Sequence, residues 1–68
     1  MRVLETWEEG VTACGRSKLR VRTEKFRLTV PVRPGQPRPE PGDVLETLTR
    51  DSYRLATGPH AGEVYTWD

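Results

Sequence analysis

One thiol, Cys14, and one imidazole, His60, lead the short inventory of reactive side chains in this 68-residue sequence, with Ser17, Ser52, Asp43 and Asp51 behind them. A nucleophile needs a base within hydrogen-bond reach, so a Cys14–His60 dyad is the pair to consider. The simpler reading puts Cys14 at a small strand position and His60 at an exposed turn tip. One cysteine and one histidine cannot close a four-ligand zinc site. Neither a GxxxxGK[ST] loop nor a GxGxxG turn is present to cradle phosphate. The adjacent carboxylates Glu8 and Glu9 read as a solvated turn. The inventory points to a chain that is not an enzyme and has no catalytic residue, cofactor or metal.

Charge carries more information. Residues 16–38 hold eight basic side chains against Glu24 alone, a balance of +7, whereas residues 1–15 sum to −2 and residues 39–68 to −4. The total of +1 conceals a basic middle between acidic ends.

The elements that position those charges follow from periodicity. Residues 18–22 alternate basic and apolar, as a half-buried strand does, and residues 26–33 continue the pattern. A two-residue turn at Glu24 and Lys25 sets Thr23 opposite Phe26, Arg22 opposite Arg27, Val21 opposite Leu28, and Leu19 opposite Val30. One face of this hairpin is then Leu19, Val21, Phe26, Leu28 and Val30. The other is Lys18, Arg20, Arg22, Arg27 and Arg33. Glu-Lys is not a favoured two-residue turn. Arg22 facing Arg27 is a like-charge pair that some anion should relieve.

Residues 34–42, rich in Pro and Gly, read as an extended connector rather than a strand or helix. Pro34, Pro37 and Arg38 have the spacing of an SH3 ligand, though such loops are mostly plain connectors. Strands are expected at residues 44–49, 53–57 and 64–67, with turns at Arg50–Asp51 and residues 58–62. Asp43 and Glu46 mimic a capping box, so a short helix through Val44, Leu45 and Leu48 competes with the strand there. At the start, residues 3–7 and 11–14 are expected to pair around Glu8, Glu9 and Gly10.

Six short strands with frequent turns predict one all-β domain over residues 1–68, a small antiparallel SH3-like barrel or sandwich. A domain of this size has a small core, and one cysteine cannot brace it with an internal disulfide, so oligomerisation or docking is expected. The stretch from Asp51 to Val64, Asp-Ser-Tyr-Arg-Leu-Ala-Thr-Gly-Pro-His-Ala-Gly-Glu-Val, resembles the strand–turn–strand of KOW motifs, mainly through Gly58, Gly62 and Val64. That resemblance implies an SH3-like barrel in a ribosomal or transcription-factor setting. Pro41-Gly42-Asp43 before a β-rich stretch is also similar to small barrels of phage head–tail junctions.

No stretch approaches the roughly 18 apolar residues of a membrane span. Residues 1–10 carry Glu5, Glu8 and Glu9 and lack an apolar signal core. A soluble cytoplasmic protein is expected, or a host-cytoplasm or virion protein if phage-encoded. Asn and Ile are absent and Arg outnumbers Lys nine to two, the bias of a GC-rich bacterial or phage gene. The functional expectation is a protein-interaction module with an acidic partner, or with itself, through Lys18, Arg20, Arg22, Arg27 and Arg33, and with Trp67 as a candidate anchor. Nucleic acid is the alternative partner, and a structural assembly subunit a third reading. Internal pairing of the same bases with Glu5, Glu46 and Glu63 accounts for the ladder without any partner.

Overall fold

A computed structural model of the chain describes residues 1–67. Six strands form two antiparallel sheets: β1 (Val3–Val11), β2 (Ser17–Thr23) and β3 (Arg27–Val32) in the order β1-β2-β3, then β4 (Leu45–Thr49), β5 (Ser52–Leu55) and β6 (Val64–Thr66) in the order β4-β5-β6. Neither sheet closes on itself, and no helix occurs among the described residues. None of them therefore forms a helix able to cross a membrane.

The β2–β3 hairpin has the expected register, with Leu19 opposite Val30, Val21 opposite Leu28 and Arg22 opposite Arg27. Thr23 explains how Glu-Lys serves as its turn. Its hydroxyl accepts from the amides of Lys25 (3.2 Å) and Phe26 (3.0 Å) and donates to the Phe26 carbonyl (2.7 Å). A threonine hydroxyl thus supplies the closure that Asn-Gly supplies through positive φ, and neither Glu24 nor Lys25 needs positive φ. Phe26 is a correction: it lies outside β3 and is 53% exposed, because Thr23 fills the inner position at the turn and β3 begins at Arg27.

The N-terminal hairpin is a second correction. Residues 3–11 form one continuous strand along the whole of β2. Gly10 is not a turn residue but part of a bulge opposite Lys18, with φ near +149°, a conformation side chains rarely permit. The reversal comes later. The Thr12 amide donates to the Arg16 carbonyl at 2.7 Å, Gly15 donates to the Thr12 carbonyl at 3.0 Å, and Gly15 has φ +87°. Cys14 therefore sits exposed in this turn rather than in a strand.

Alternation then builds the core. Leu19, Val21, Leu28, Val30 and Val32 turn inward from the first sheet, with Val3, to meet Leu45, Leu55 and Tyr65 from the second. A backbone seam joins the sheets on one side. Val3 donates to the Asp43 carbonyl, Gly42 to the Val3 carbonyl and Leu45 to the Met1 carbonyl, each at 2.8 Å, around an Arg2–Val44 bridge. On the other side β3 lies against β6. Pro31 is fully buried in β3, tolerated because β3 is an edge strand of its sheet.

Residues 33–42 run between the sheets as the expected connector. Gln36 holds it, donating to the Val64 carbonyl (2.7 Å) and to Glu63 (3.1 Å), and the Tyr65 hydroxyl donates to the Pro37 carbonyl. The competing helix at residues 44–48 does not form. Asp43 does not cap a helix. Its carboxylate accepts from the Glu40 amide (2.9 Å) and the Thr57 hydroxyl (3.2 Å), locking the end of the connector.

Burial pushes the Tyr65 phenol up to about 12, with the charges of Glu63 and Asp43 adding to the shift. A phenol whose folded pKa lies above its ordinary 10.0 contributes stability that is whole below about pH 10 and is lost as pH rises toward 12. Alkaline titration of phenolate absorbance should show one tyrosine ionising near 12, and chemical denaturation should show stability falling above pH 10. Tyr65→Phe should cost about 1 kcal/mol, because the Pro37 carbonyl loses its donor. A stability curve flat from pH 9 to 12 would contradict both statements.

Candidate functional site

Parity in the β2–β3 hairpin sends Lys18, Arg20, Arg22 and Arg27 outward when the apolar residues turn in. The register of β1 adds a third row to that face: Glu5 opposite Arg22, Trp7 opposite Arg20 and Gly10 opposite Lys18. The outward face of the first sheet thus carries four bases, two carboxylates and one exposed indole, Trp7 being 40% exposed.

The bases are not equivalent. Arg20 Nε lies 3.2 Å from Glu9, and Arg20 Nη1 donates to the Thr29 hydroxyl at 2.8 Å, so its guanidinium is held at both ends. Arg22 lies 3.6 Å from Glu5. Lys18 and Arg27 form no ion pair among the described residues. Exposed pairs of this kind contribute about 0–1 kcal/mol each, so they orient side chains more than they stabilise the fold. The four bases exceed Glu5 and Glu9 by two positive charges.

Internal pairing is realised through Glu5, while Glu46 binds Arg54 at 2.7 Å and Glu63 accepts from Gln36. Arg33 lies just past β3, exposed, with its amide bonded to Gln36. Trp67 is fastened through its backbone. Its amide donates to the Asp51 carbonyl (3.1 Å) and its carbonyl accepts from Arg16 (3.2 Å), so the half-buried residue is tied to two turns. Sequence reasoning missed Trp7 and Glu9 on the basic face, because it folded β1 back at Glu8-Glu9-Gly10. The usable signal was the stretch 12–16, where Thr and Gly stand three residues apart.

An open cleft of about 300 Å³ lies between the connector and the turn at residues 58–62. His60 lines it with Arg38, Glu40, Asp43 and Thr57 over a floor that includes Pro37 and Leu55. Arg38 also pairs with Glu8 of β1. Cys14 is not part of this wall. Among the described residues, no three His, Cys, Asp or Glu side chains cluster as metal ligands.

No family model, curated protein or solved structure matches this chain.

Cys14 has a defined environment. The Arg16 amide donates to the Thr12 hydroxyl at 3.1 Å, and that oxygen lies 3.1 Å from the Cys14 sulfur, with Arg16 Nη1 at 3.6 Å. The Thr12 hydrogen bond, followed by the amide and charge of Arg16, draws the thiol below its ordinary 9.0. The pH midpoint of its alkylation should fall below that ordinary value, and Thr12→Val should move it upward. Equal midpoints in the two proteins would contradict the hydrogen-bond cause.

Proposed function

We propose that the chain is a non-enzymatic protein-interaction module that takes an acidic partner surface onto the outward face of β1-β2-β3. The observation that carries this reading is the composition of that face. Among the described residues Lys18 and Arg27 form no ion pair, Arg20 and Arg22 are held in place by carboxylates of the same face, and Trp7 stands among them. Tryptophan and arginine are the residue types that dominate interface energetics. Bases already ordered by Glu5, Glu9 and Thr29 lose less side-chain entropy on capture. Arg33 extends the positive field toward the connector.

The plan of the module is an SH3-like small barrel. The Arg2–Val44 bridge on one side and the approach of β3 to β6 on the other support it. The likeness of residues 51–64 to KOW motifs belongs to the same reading. It is supported by a strand at Ser52–Leu55, a turn fastened by Gly62 donating to the Leu55 carbonyl (2.7 Å), and a strand at Val64–Thr66. A role as a bacterial or phage accessory or assembly factor, in the cytoplasm or the virion, rests on the GC-rich composition.

A second reading, single-stranded nucleic acid, gains from one observation. Trp7 supplies an aromatic surface on the basic face, where bases stack and phosphates pair. Salt separates the two readings, because phosphate binding falls steeply with ionic strength through counterion release.

The test uses an Asp/Glu-rich peptide and an oligonucleotide of equal net charge, each titrated at low and moderate salt. Reversal of Arg20 and Arg22 to Glu, and separately of Lys18 and Arg27 to Glu, should weaken peptide capture by about tenfold or more. Capture unchanged by both reversals would sink the proposal. Binding to the oligonucleotide alone, with a steep salt slope, would replace the first reading with the second.

A further inference from the structure

The outer edge of β1 is open for most of its length. The Thr23 amide bonds the Phe26 carbonyl across the β2–β3 turn, so Thr23, Val21 and Leu19 direct their backbone groups toward β3. Arg22 and Arg20 therefore direct theirs toward β1, where they face Glu5 and Trp7. It follows that Thr6 and Glu8 turn their N–H and C=O away from β2, toward solvent. The same outer edge at Val3 is taken by Gly42 and Asp43. Among the described residues, no hydrogen bond takes it at Thr6 and Glu8.

Exposed edges are commonly guarded by charge. β1 carries three carboxylates, yet each is spent within the chain, Glu5 on Arg22, Glu8 on Arg38 and Glu9 on Arg20. Three of the exposed large apolar residues, Leu4, Trp7 and Val11, lie on this same strand. Bulges between Val3 and Glu5 and between Glu8 and Gly10 leave only Glu5, Thr6, Trp7 and Glu8 in regular register, which limits any added strand to about four rungs.

We propose that this edge pairs with the β1 edge of a second copy, antiparallel, with Trp7 opposite Trp7. The strand is self-complementary in that register. Thr6 exchanges backbone hydrogen bonds with Glu8 of the second copy, and Glu8 with its Thr6. Trp7 falls at a rung without hydrogen bonds, where side chains approach most closely. Glu5 comes up beside the bulge at Glu9 of the other copy, and each carboxylate is already paired with an arginine of its own chain. The row across the join reads Arg22, Glu5, Glu9, Arg20, so a base flanks each acid on the outside. The two sheets become one of six strands, β3-β2-β1-β1-β2-β3, and the two basic faces lie side by side. Their excess of positive charge doubles. The contact is short, so the dimer belongs to the weak class of small interfaces, with dissociation on the order of 10–1,000 μM. This inference is independent of the partner proposed above.

Sedimentation equilibrium of the full chain from about 10 μM to 1 mM, across that weak range, should show a monomer–dimer transition. Thr6→Pro removes an amide that the β1–β2 ladder does not use and should abolish the dimer while leaving the β-sheet circular dichroism in place. Because proline could disturb β1 itself, a second variant reads the register directly. Trp7→Cys in a Cys14→Ser background places two sulfurs across the dyad at Cα separations of about 4.5–5.5 Å, within disulfide range. It should form an interchain disulfide in a glutathione buffer at least tenfold faster than Arg50→Cys in the same background. Reversal of Lys18 and Arg27 to Glu should leave the dimer intact even where it abolishes partner capture. A monomer at 1 mM, or equal crosslinking of the two cysteine variants, overturns the proposal.

Discussion

Thr23 closes the β2–β3 turn with its own hydroxyl, and that closure fixes which side of every residue from 17 to 32 is inside. A strand slipped by one residue would send Lys18, Arg20 and Arg22 into the core and Leu19 and Val21 into water. The core and the basic face are therefore one decision. The same parity passes through β2 to β1, whose rungs place Glu5 and Trp7 beside the arginines. It also determines which backbone groups of β1 are left open. Core, charged face and free edge descend from a single turn.

The second constraint is size. Nine buried apolar side chains form the core of a 68-residue chain, and the only thiol is a free, exposed one. Small domains of this kind need bracing. Here polar contacts along the seam supply it. The Met1 amine and the amides of Val3, Gly42 and Leu45 bind carbonyls across the two sheets, and Tyr65 and Gln36 hold the connector over the second sheet. Asp43 serves both ends of this arrangement, through its carbonyl to Val3 and its carboxylate to Glu40 and Thr57. Among the described residues, no buried side-chain nitrogen or oxygen lacks a partner. In the proline-rich segment itself, the Tyr65 hydroxyl partners the Pro37 carbonyl and the Asp43 carboxylate partners the Glu40 amide.

Much of this is legible in the sequence, for identifiable reasons. Alternation of charge and apolarity is a local signal, so the β2–β3 register can be read rung by rung, and so can the Arg50–Asp51 turn and the connector. Asp43 and Glu46 look like a cap because capping boxes are also local, but the strand wins by pairing with β5, a contact periodicity does not encode. The start of the chain misleads for a similar reason. Glu8-Glu9-Gly10 has turn composition, yet a bulge uses glycine for the same backbone freedom, and the distinction lies in the partner strand. With β1 misplaced, the candidate site loses Trp7 and Glu9, and the basic face looks barer and more strongly charged than it is. Trp67 shows the limit from the other side, since its ties to Asp51 and Arg16 join residues 16 and 51 positions away.

The carboxylates of β1 change what the basic segment can mean. A bare ladder of four bases would attract any polyanion, and its arginines would repel each other along the sheet, as Arg22 and Arg27 do across it. Glu5 and Glu9 remove half of that charge and anchor two of the guanidinium groups. The field becomes weaker, and the geometry becomes more defined. Weak field with ordered donors suits a partner that is recognised by shape and by matched acids, more than one held by charge alone. A flexible polyanion draws its affinity from the number of phosphates neutralised, and this face offers few free cations for that purpose. The same glutamates, by being spent inward, leave the edge of β1 without guarding charge. Tempering of the basic face and exposure of the strand edge thus share the ion pairs of Glu5 and Glu9, and a partner for either surface would be selected against those two glutamates.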